Sequence, residues 1–228
     1  MKAIVFDAST LISFAMNGLL EELAELKKLF DGKFIITMAV KKEAIDRPMT
    51  IKRFKLQAMQ LKSLLTRKIL ELPSSLDIDD KLIEEDAKEI VNSANRLFYG
   101  KRRNIEIIHI GESEVVAVSK ILTERGIPNM LAIDERTMRL LCEKPENLRE
   151  LLERKLHTKI TVQKNPKKII GDCMVIRSTE LIYMAYKKGL IKLKGNMVLD
   201  ALLYAMKYKG CSISENEIQD IKNLDVRK

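Results

Sequence analysis

Near its start the chain runs Ala3-Ile4-Val5-Phe6 and stops on a carboxylate, Asp7, with Ser9 and Thr10 directly behind it. An unbroken apolar tetrapeptide predicts a strand buried on both faces, and small hydroxyl residues after an acid predict the turn into a helix. A strand of that kind needs helices over both faces of its sheet, which points to the α/β class. Three further segments repeat the pattern: Phe34-Ile35-Ile36-Thr37 leads to Glu43, Gly111-Glu112-Ser113-Glu114 opens a helix, and Met130-Leu131-Ala132-Ile133 ends on Asp134. Acids at the carboxyl ends of parallel strands and in the helix turns beside them fall along one edge of the sheet. Four of them predict one cluster.

Length and composition bound what surrounds that cluster. With 228 residues, 46% of them hydrophobic and 32% charged, the chain fits one α/β domain carrying insertions over 1–228. No apolar run approaches the roughly 20 residues that span a bilayer, and Met1-Lys2-Ala3 opens no signal-peptide pattern. A cytoplasmic chain with no membrane partner is expected. Cys142, Cys173 and Cys211 are odd in number and lack Cys-x-x-Cys spacing, so neither a disulfide framework nor a zinc site is indicated. The formal charge of +9 favours a polyanionic partner, and the placement of that charge matters more than its sum.

Along the chain, a strand at 2–7, a helix from Ser9 or Thr10 to Leu29 with Asn17-Gly18 as a break, a strand at 33–37 and a helix carrying Glu43 make a β-α-β start. Arg47-Pro48 closes that unit. Residues 49–104 read as an inserted helical hairpin. Its first helix, within 50–70, is basic through Lys52, Arg53, Lys55, Lys62, Arg67 and Lys68, and its second, within 79–99, is acidic, so the two are expected to neutralise each other. Lys101-Arg102-Arg103 has no acidic partner nearby in sequence and is the better basic patch, with a solvated loop as the equal alternative. The α/β pattern resumes with a helix over 113–125 and a strand over 130–134. A small basic insertion follows at 145–172, with Lys155, Lys159, Lys164, Lys167 and Lys168 around a short Ile160-Thr161-Val162 strand. A last strand at 174–177 and three helices complete the chain, the final one opened by the capping box Ser214-Glu215-Asn216-Glu217.

The chemistry follows from four carboxylates in one place. They repel, each raises the others' pKa, and a hard divalent cation with oxygen ligands satisfies them, Mg²⁺ or Mn²⁺ best. Such an ion polarises a phosphoryl oxygen and acidifies a water, so phosphodiester hydrolysis is the expected reaction. Taken singly, Glu43 and Glu114 read first as ordinary helix-cap or first-turn acids, and the joint pattern is what favours a site. The two histidines, His109 and His157, are read as structural or solvent-facing, and no Gly-rich phosphate loop is present. A phosphatase of the haloacid-dehalogenase type needs a second Asp two residues after the first, where this chain has Ser9.

The joint pattern resembles the PIN domain family of metal-dependent ribonucleases. The matching segments are Phe6-Asp7-Ala8-Ser9-Thr10, Thr37 to Glu43, Glu114-Val115-Val116-Ala117-Val118 and Ile133-Asp134-Glu135-Arg136, within 2–47 and 108–141. The Gly-Glu-x-Glu run and the segment Ala185-Tyr186-Lys187-Lys188-Gly189-Leu190-Ile191 are similar to one branch of it. The resemblance implies a three-layer α/β/α fold with a central, mainly parallel sheet. It also implies an endoribonuclease acting on single-stranded RNA, with Asp7, Glu43, Glu114 and Asp134 as metal ligands. Ser9 would then hydrogen-bond a ligand carboxylate or a metal-bound water, a role compatible with helix capping, and Arg136 would meet a phosphate or a surface acid. Many relatives have Asp at the third position, which makes Glu112 a rival to Glu114; Glu114 is favoured because its place is expected to open the helix. A second copy of the chain, an antitoxin or another protein are further expected partners. The alternative is a non-catalytic module of the same shape that binds RNA or protein.

Overall fold

The computed structural model describes residues 1–163 and 165–226; Lys164 of the basic insertion lies outside them. In chain order the elements are β1 (Ala3–Phe6), α1 (Ala8–Met16), α2 (Leu20–Leu29), β2 (Lys33–Ile35) and α3 (Met38–Lys41), a π-helical turn over Lys42–Asp46, α4 (Arg47–Met49) and α5 (Lys55–Thr66). After a 3₁₀ turn at Pro73–Leu76 come α6 (Asp80–Ala94), β3 (Phe98–Gly100), β4 (Arg103–Asn104), α7 (Ile110–Glu124) and β5 (Asn129–Ala132). The remainder is α8 (Arg136–Glu143), α9 (Pro145–Leu156), β6 (Thr161–Val162), α10 (Lys167–Ile170), β7 (Val175–Ile176), α11 (Ser178–Lys187), α12 (Val198–Tyr208) and α13 (Glu215–Val226).

All four residues of β1 are buried, as the apolar run requires. The strand lies inside a four-stranded sheet of order β2-β1-β5-β7, parallel at every pairing, with Ile4 opposite Phe34 on one side and Met130 on the other. One more backbone segment extends the β2 edge. Glu71 bridges to Ile35 in parallel sense, its N–H donating to the Phe34 carbonyl at 2.8 Å and its carbonyl accepting from Ile36 N–H at 3.0 Å. Counted with that bridge, the strands run outward from β1 to β2 and Glu71 on one side, and to β5 and β7 on the other. The connection order therefore reverses between β1 and β5, the crevice where open α/β sheets bind ligands. Helices flank this sheet, and Leu61, Ile90, Val116, Ile160 and Leu203 share one apolar core with its strands.

Several sequence expectations change. The first helix breaks where Asn17-Gly18 suggested, with Gly18 at φ +69°, a backbone conformation glycine adopts without strain. Pro48 does not end the unit, because it sits in the first turn of α4, where no intrahelical N–H is needed. The two helices of 49–104 do not form a self-neutralising hairpin. Helix α5 packs on α1 and the π turn, whereas α6 packs along α7. Arg67 accordingly pairs with Glu21 of α2, at 2.5 and 2.9 Å, and not with the acids of α6.

The acidic helix also stops sooner than its spacing suggested. Past Ala94, the Asn95 side chain accepts from Ile107 N–H at 2.7 Å and Ile108 N–H at 3.1 Å and donates to the Ile108 carbonyl at 3.0 Å. That clamp turns the chain into β3, and Phe98 is buried. Strands β4, β3 and β6 form a small antiparallel sheet, so the predicted insertions at 49–104 and 145–172 are joined through Phe98 and Val162. Among the described residues no helix is long and apolar enough to cross a membrane.

Candidate metal centre

Asp7 ends β1 and caps α1 from an extended backbone, φ −81° and ψ 157°. Its Oδ2 accepts from Ser9 N–H at 3.1 Å and from Ser9 Oγ at 2.5 Å. The same Ser9 Oγ accepts the Asp134 N–H at 3.2 Å. One hydroxyl thus fastens the ends of β1 and β5 to each other across the point where strand order reverses. Thr10, beside it, is buried, and its hydroxyl has no partner among the described residues.

Asp134 is fully buried. Its Oδ1 accepts from Ser178 N–H at 2.7 Å, at the start of α11, and its carbonyl accepts from Ser212 N–H at 3.0 Å. Among the described residues Oδ2 has no hydrogen-bond partner, nor does the buried Ser178 Oγ. Buried polar atoms almost always have partners, so an orphaned carboxylate oxygen marks a place where something else is expected to bind.

Glu43 sits in the π-helical turn, a single-turn irregularity found often at functional sites. Burial raises its pKa, Asp7 raises it further, and Arg47 and His109 pull it down. His109 is exposed, as expected, but it stands near enough to act on Glu43. A Cβ added at Gly111 would lie 3.8 Å from Glu43 Oε2, so the first turn of α7 lies close beside the π turn. Burial likewise raises the pKa of Asp7 against the hydrogen bonds from Ser9, and Asp134 adds to the rise.

The third acid is Glu112. Helix α7 starts at Ile110 with His109 as its cap, three residues earlier than the sequence suggested, and Glu112 occupies the N3 position with Oε2 accepting the His109 N–H at 2.8 Å. Burial pushes its carboxyl up to about 7, against the His109 hydrogen bond and with Asp7, Glu135 and Glu43 adding to the rise. Glu114, the expected ligand, faces elsewhere. Two residues along an α-helix turn the side chain by about 200°. Its Oε2 caps the first turn of α3 by accepting Ala39 N–H at 3.0 Å, next to Met38, Ile83 and Glu84.

Glu135, directly after Asp134, caps α8 through Met138 N–H at 2.8 Å and adds to the rise of the Glu112 pKa. The available signal for Glu112 was partial: a Glu at the third helical position is half of a capping box, but His109 is not one of the usual N-cap residues that would have announced the start.

Five acids are therefore chained electrostatically, Glu112 to Asp7, Glu43 and Glu135, and Asp7 to Glu43 and Asp134, and Asp7, Glu43 and Glu112 all hold protons more tightly than usual. Among the described residues no three His, Cys, Asp or Glu side chains are arranged as a ready-made metal-binding group. The donor set nonetheless fits a hard divalent cation: all its donors are carboxylate oxygens, burial and neighbouring acids raise Asp7, Glu43 and Glu112, and the Asp134 Oδ2 is unpaired among the described residues.

The expected RNA contacts lie outside this cluster. Lys101 and Arg102 form the tip of the β3–β4 turn with φ of 51° and 60°, and with Arg103 they are exposed. Arg136 is the exposed first residue of α8, next to Glu135. No protein-family model, curated protein or solved structure matches this chain.

Proposed function

We propose that the protein is a metal-dependent endoribonuclease of PIN-like type, hydrolysing phosphodiester bonds of single-stranded RNA at the carboxylate cluster between β1 and β5. The observation that carries this reading is the convergence of acids at the strand-order reversal, with the Glu112 carboxyl at about 7 and the Asp134 Oδ2 unpaired among the described residues. Carboxylates gathered at a sheet's ligand-binding edge in excess of the bases beside them, Arg47 and His109, suit a cation better than they suit a purely structural role.

Asp7, Glu43, Glu112 and Asp134 would hold Mg²⁺ or Mn²⁺, with Glu112 taking the place first given to Glu114. A bound divalent ion supplies polarisation of a phosphoryl oxygen and a water of lowered pKa. The chain's own residues do the rest. Ser9 holds Asp7 and Asp134 in register, Ser178 N–H fixes one Asp134 oxygen and leaves the other available, and the α7 cap fixes Glu112. Glu112 retains a proton near neutral pH and gives it up as positive charge arrives. Lys101, Arg102, Arg103 and Arg136 hold phosphates and fix the position of the strand without reading its sequence.

The test is cleavage of single-stranded RNA by purified protein with Mg²⁺ or Mn²⁺. Wild type cuts, whereas Asp7→Asn and Asp134→Asn bind RNA but do not cut. RNA binding without cleavage by wild type would favour the non-catalytic module, and equal cleavage by all three would expose a contaminating nuclease.

A further inference from the structure

Glu43 belongs to two places at once. Besides joining the acid cluster, it forms part of the wall of a cavity of about 640 Å³ between α1, the π turn, α5 and the end of α12. That volume is ordinary for a small-ligand site. Most of the wall is aliphatic. Within it stand one aromatic ring, Phe54, and, besides Glu43, the polar Gln57 side chain and the cations Arg47 and Lys209, both exposed.

Gln57 is the informative one, since its Oε1 is buried in this wall with no hydrogen-bond partner among the described residues. A desolvated amide oxygen is unfavourable unless an N–H donor meets it. Phe54 adds an aromatic ring with the Arg53 guanidinium 5.4 Å from its centroid, a combination on which planar π systems stack. Tyr208, 76% exposed and stacked on Tyr204, adds a second aromatic at the rim.

We propose that this cavity receives a nucleobase of the RNA strand, the one adjoining the phosphodiester held at the acids. Phe54 would take its face, Gln57 Oε1 an N–H on its edge, and Arg47 and Lys209 the flanking phosphates. The assignment rests on the acids being the site of phosphodiester binding, because Glu43 is what connects the two. An apolar peptide side chain fits less well. It would give Gln57 no donor and offer the two rim cations no anion.

The experiment uses the full chain in EDTA, so that binding is read without cleavage, and compares an oligoadenylate hexamer with an abasic ribose-phosphate hexamer of equal charge by fluorescence anisotropy. Wild type is expected to bind the intact hexamer at least about five-fold more tightly, the smaller end of what one stacked base contributes. Gln57→Leu should reduce that ratio while leaving the melting temperature unchanged or higher, since the variant removes a buried unpaired acceptor. Phe54→Ala should reduce it as well.

Equal affinity of wild type for the two hexamers, or a ratio untouched by Gln57→Leu, overturns the base pocket. Displacement of an apolar dye from the cavity by an amphipathic peptide but not by RNA overturns it in favour of a protein groove. The two readings fail separately. Base discrimination without metal-dependent cleavage removes the nuclease assignment and keeps the pocket, and cleavage without base discrimination does the reverse.

Discussion

Replacing Glu112 and Glu114 one at a time by Gln should move stability in opposite directions, although the two lie two residues apart on one helix. Glu112 is held at about 7 against an ordinary 4.5, so keeping it ionised in the folded chain costs about 3 kcal/mol. The sign follows from linkage. The folded state binds the proton more tightly than the unfolded state, so stability is full below the unfolded value and falls as pH rises from about 4.5 to about 7. Gln at this position keeps the cap on the His109 N–H, which either residue can make, and removes the charge. Glu112→Gln should therefore be more stable than wild type at pH 8 by up to about 3 kcal/mol, a rise of roughly 6–12 °C in melting temperature for a chain of this size. The gain should shrink steadily toward pH 4.5. Glu114→Gln loses only the charge on the hydrogen bond to Ala39 N–H at the start of α3, a cost of about 0.5–1 kcal/mol. Denaturant melts at pH 5 and pH 8, without divalent metal, measure both. A Glu112→Gln variant less stable than wild type at pH 8, or one whose pH profile runs parallel to wild type, would refute the placement of Glu112 among the acids.

Replacing Lys101, Arg102 and Arg103 by Ala should weaken RNA binding and flatten its salt dependence, the log-log slope falling by about 0.7 for every phosphate these side chains neutralise; an unchanged slope would remove the turn from the RNA path. Asn95→Ala deprives the Ile107 and Ile108 N–H groups of their acceptor and should cost about 2–4 kcal/mol in a thermal melt, because two backbone donors are left without a partner next to the start of α7. Glu217 would be raised by burial, but the Ser214 N–H and hydroxyl and the Arg177 guanidinium outweigh that and bring it to about 2. Its contribution to stability is therefore present above about 4.5 and lost as pH falls toward 2. Glu217→Gln should be less stable than wild type at pH 7 and indistinguishable from it near pH 2, as read by circular dichroism melts.

The parts of this fold that were legible in the sequence are those where a local pattern and the tertiary environment agree. Ala3-Ile4-Val5-Phe6 is buried on both faces because it is an interior strand, and Asp7 caps the helix behind it. Gly18 marks a real break for the backbone reason that predicted it. The failures share a cause, which is that side chains distant in sequence decide where elements stop. Helix α6 ends where Asn95 clamps residues 107 and 108, and no periodicity within 79–99 reveals that. The basic and acidic helices looked complementary, yet each packs on a different neighbour, α5 on α1 and α6 on α7. At the candidate site, position along the chain brought Asp7, Ser9, Glu43 and Asp134 together, each at or next to the end of a strand or in a helix turn beside it. Choosing between Glu112 and Glu114 depended on the start of α7, and an error of three residues at a helix start reverses which side chain faces the acids.

Binding of Mn²⁺ followed by isothermal titration calorimetry at pH 7, in two buffers of different ionisation enthalpy, tests the claim that these carboxylates form a cation site. Saturable binding is expected, accompanied by proton release, because Glu112 at about 7 is partly protonated there and must ionise to become a ligand. Asp7→Asn should weaken the binding, and Glu112→Gln should weaken it and abolish most of the proton release. Failure of wild type to bind at millimolar Mn²⁺, or binding unchanged in both variants, would contradict the account.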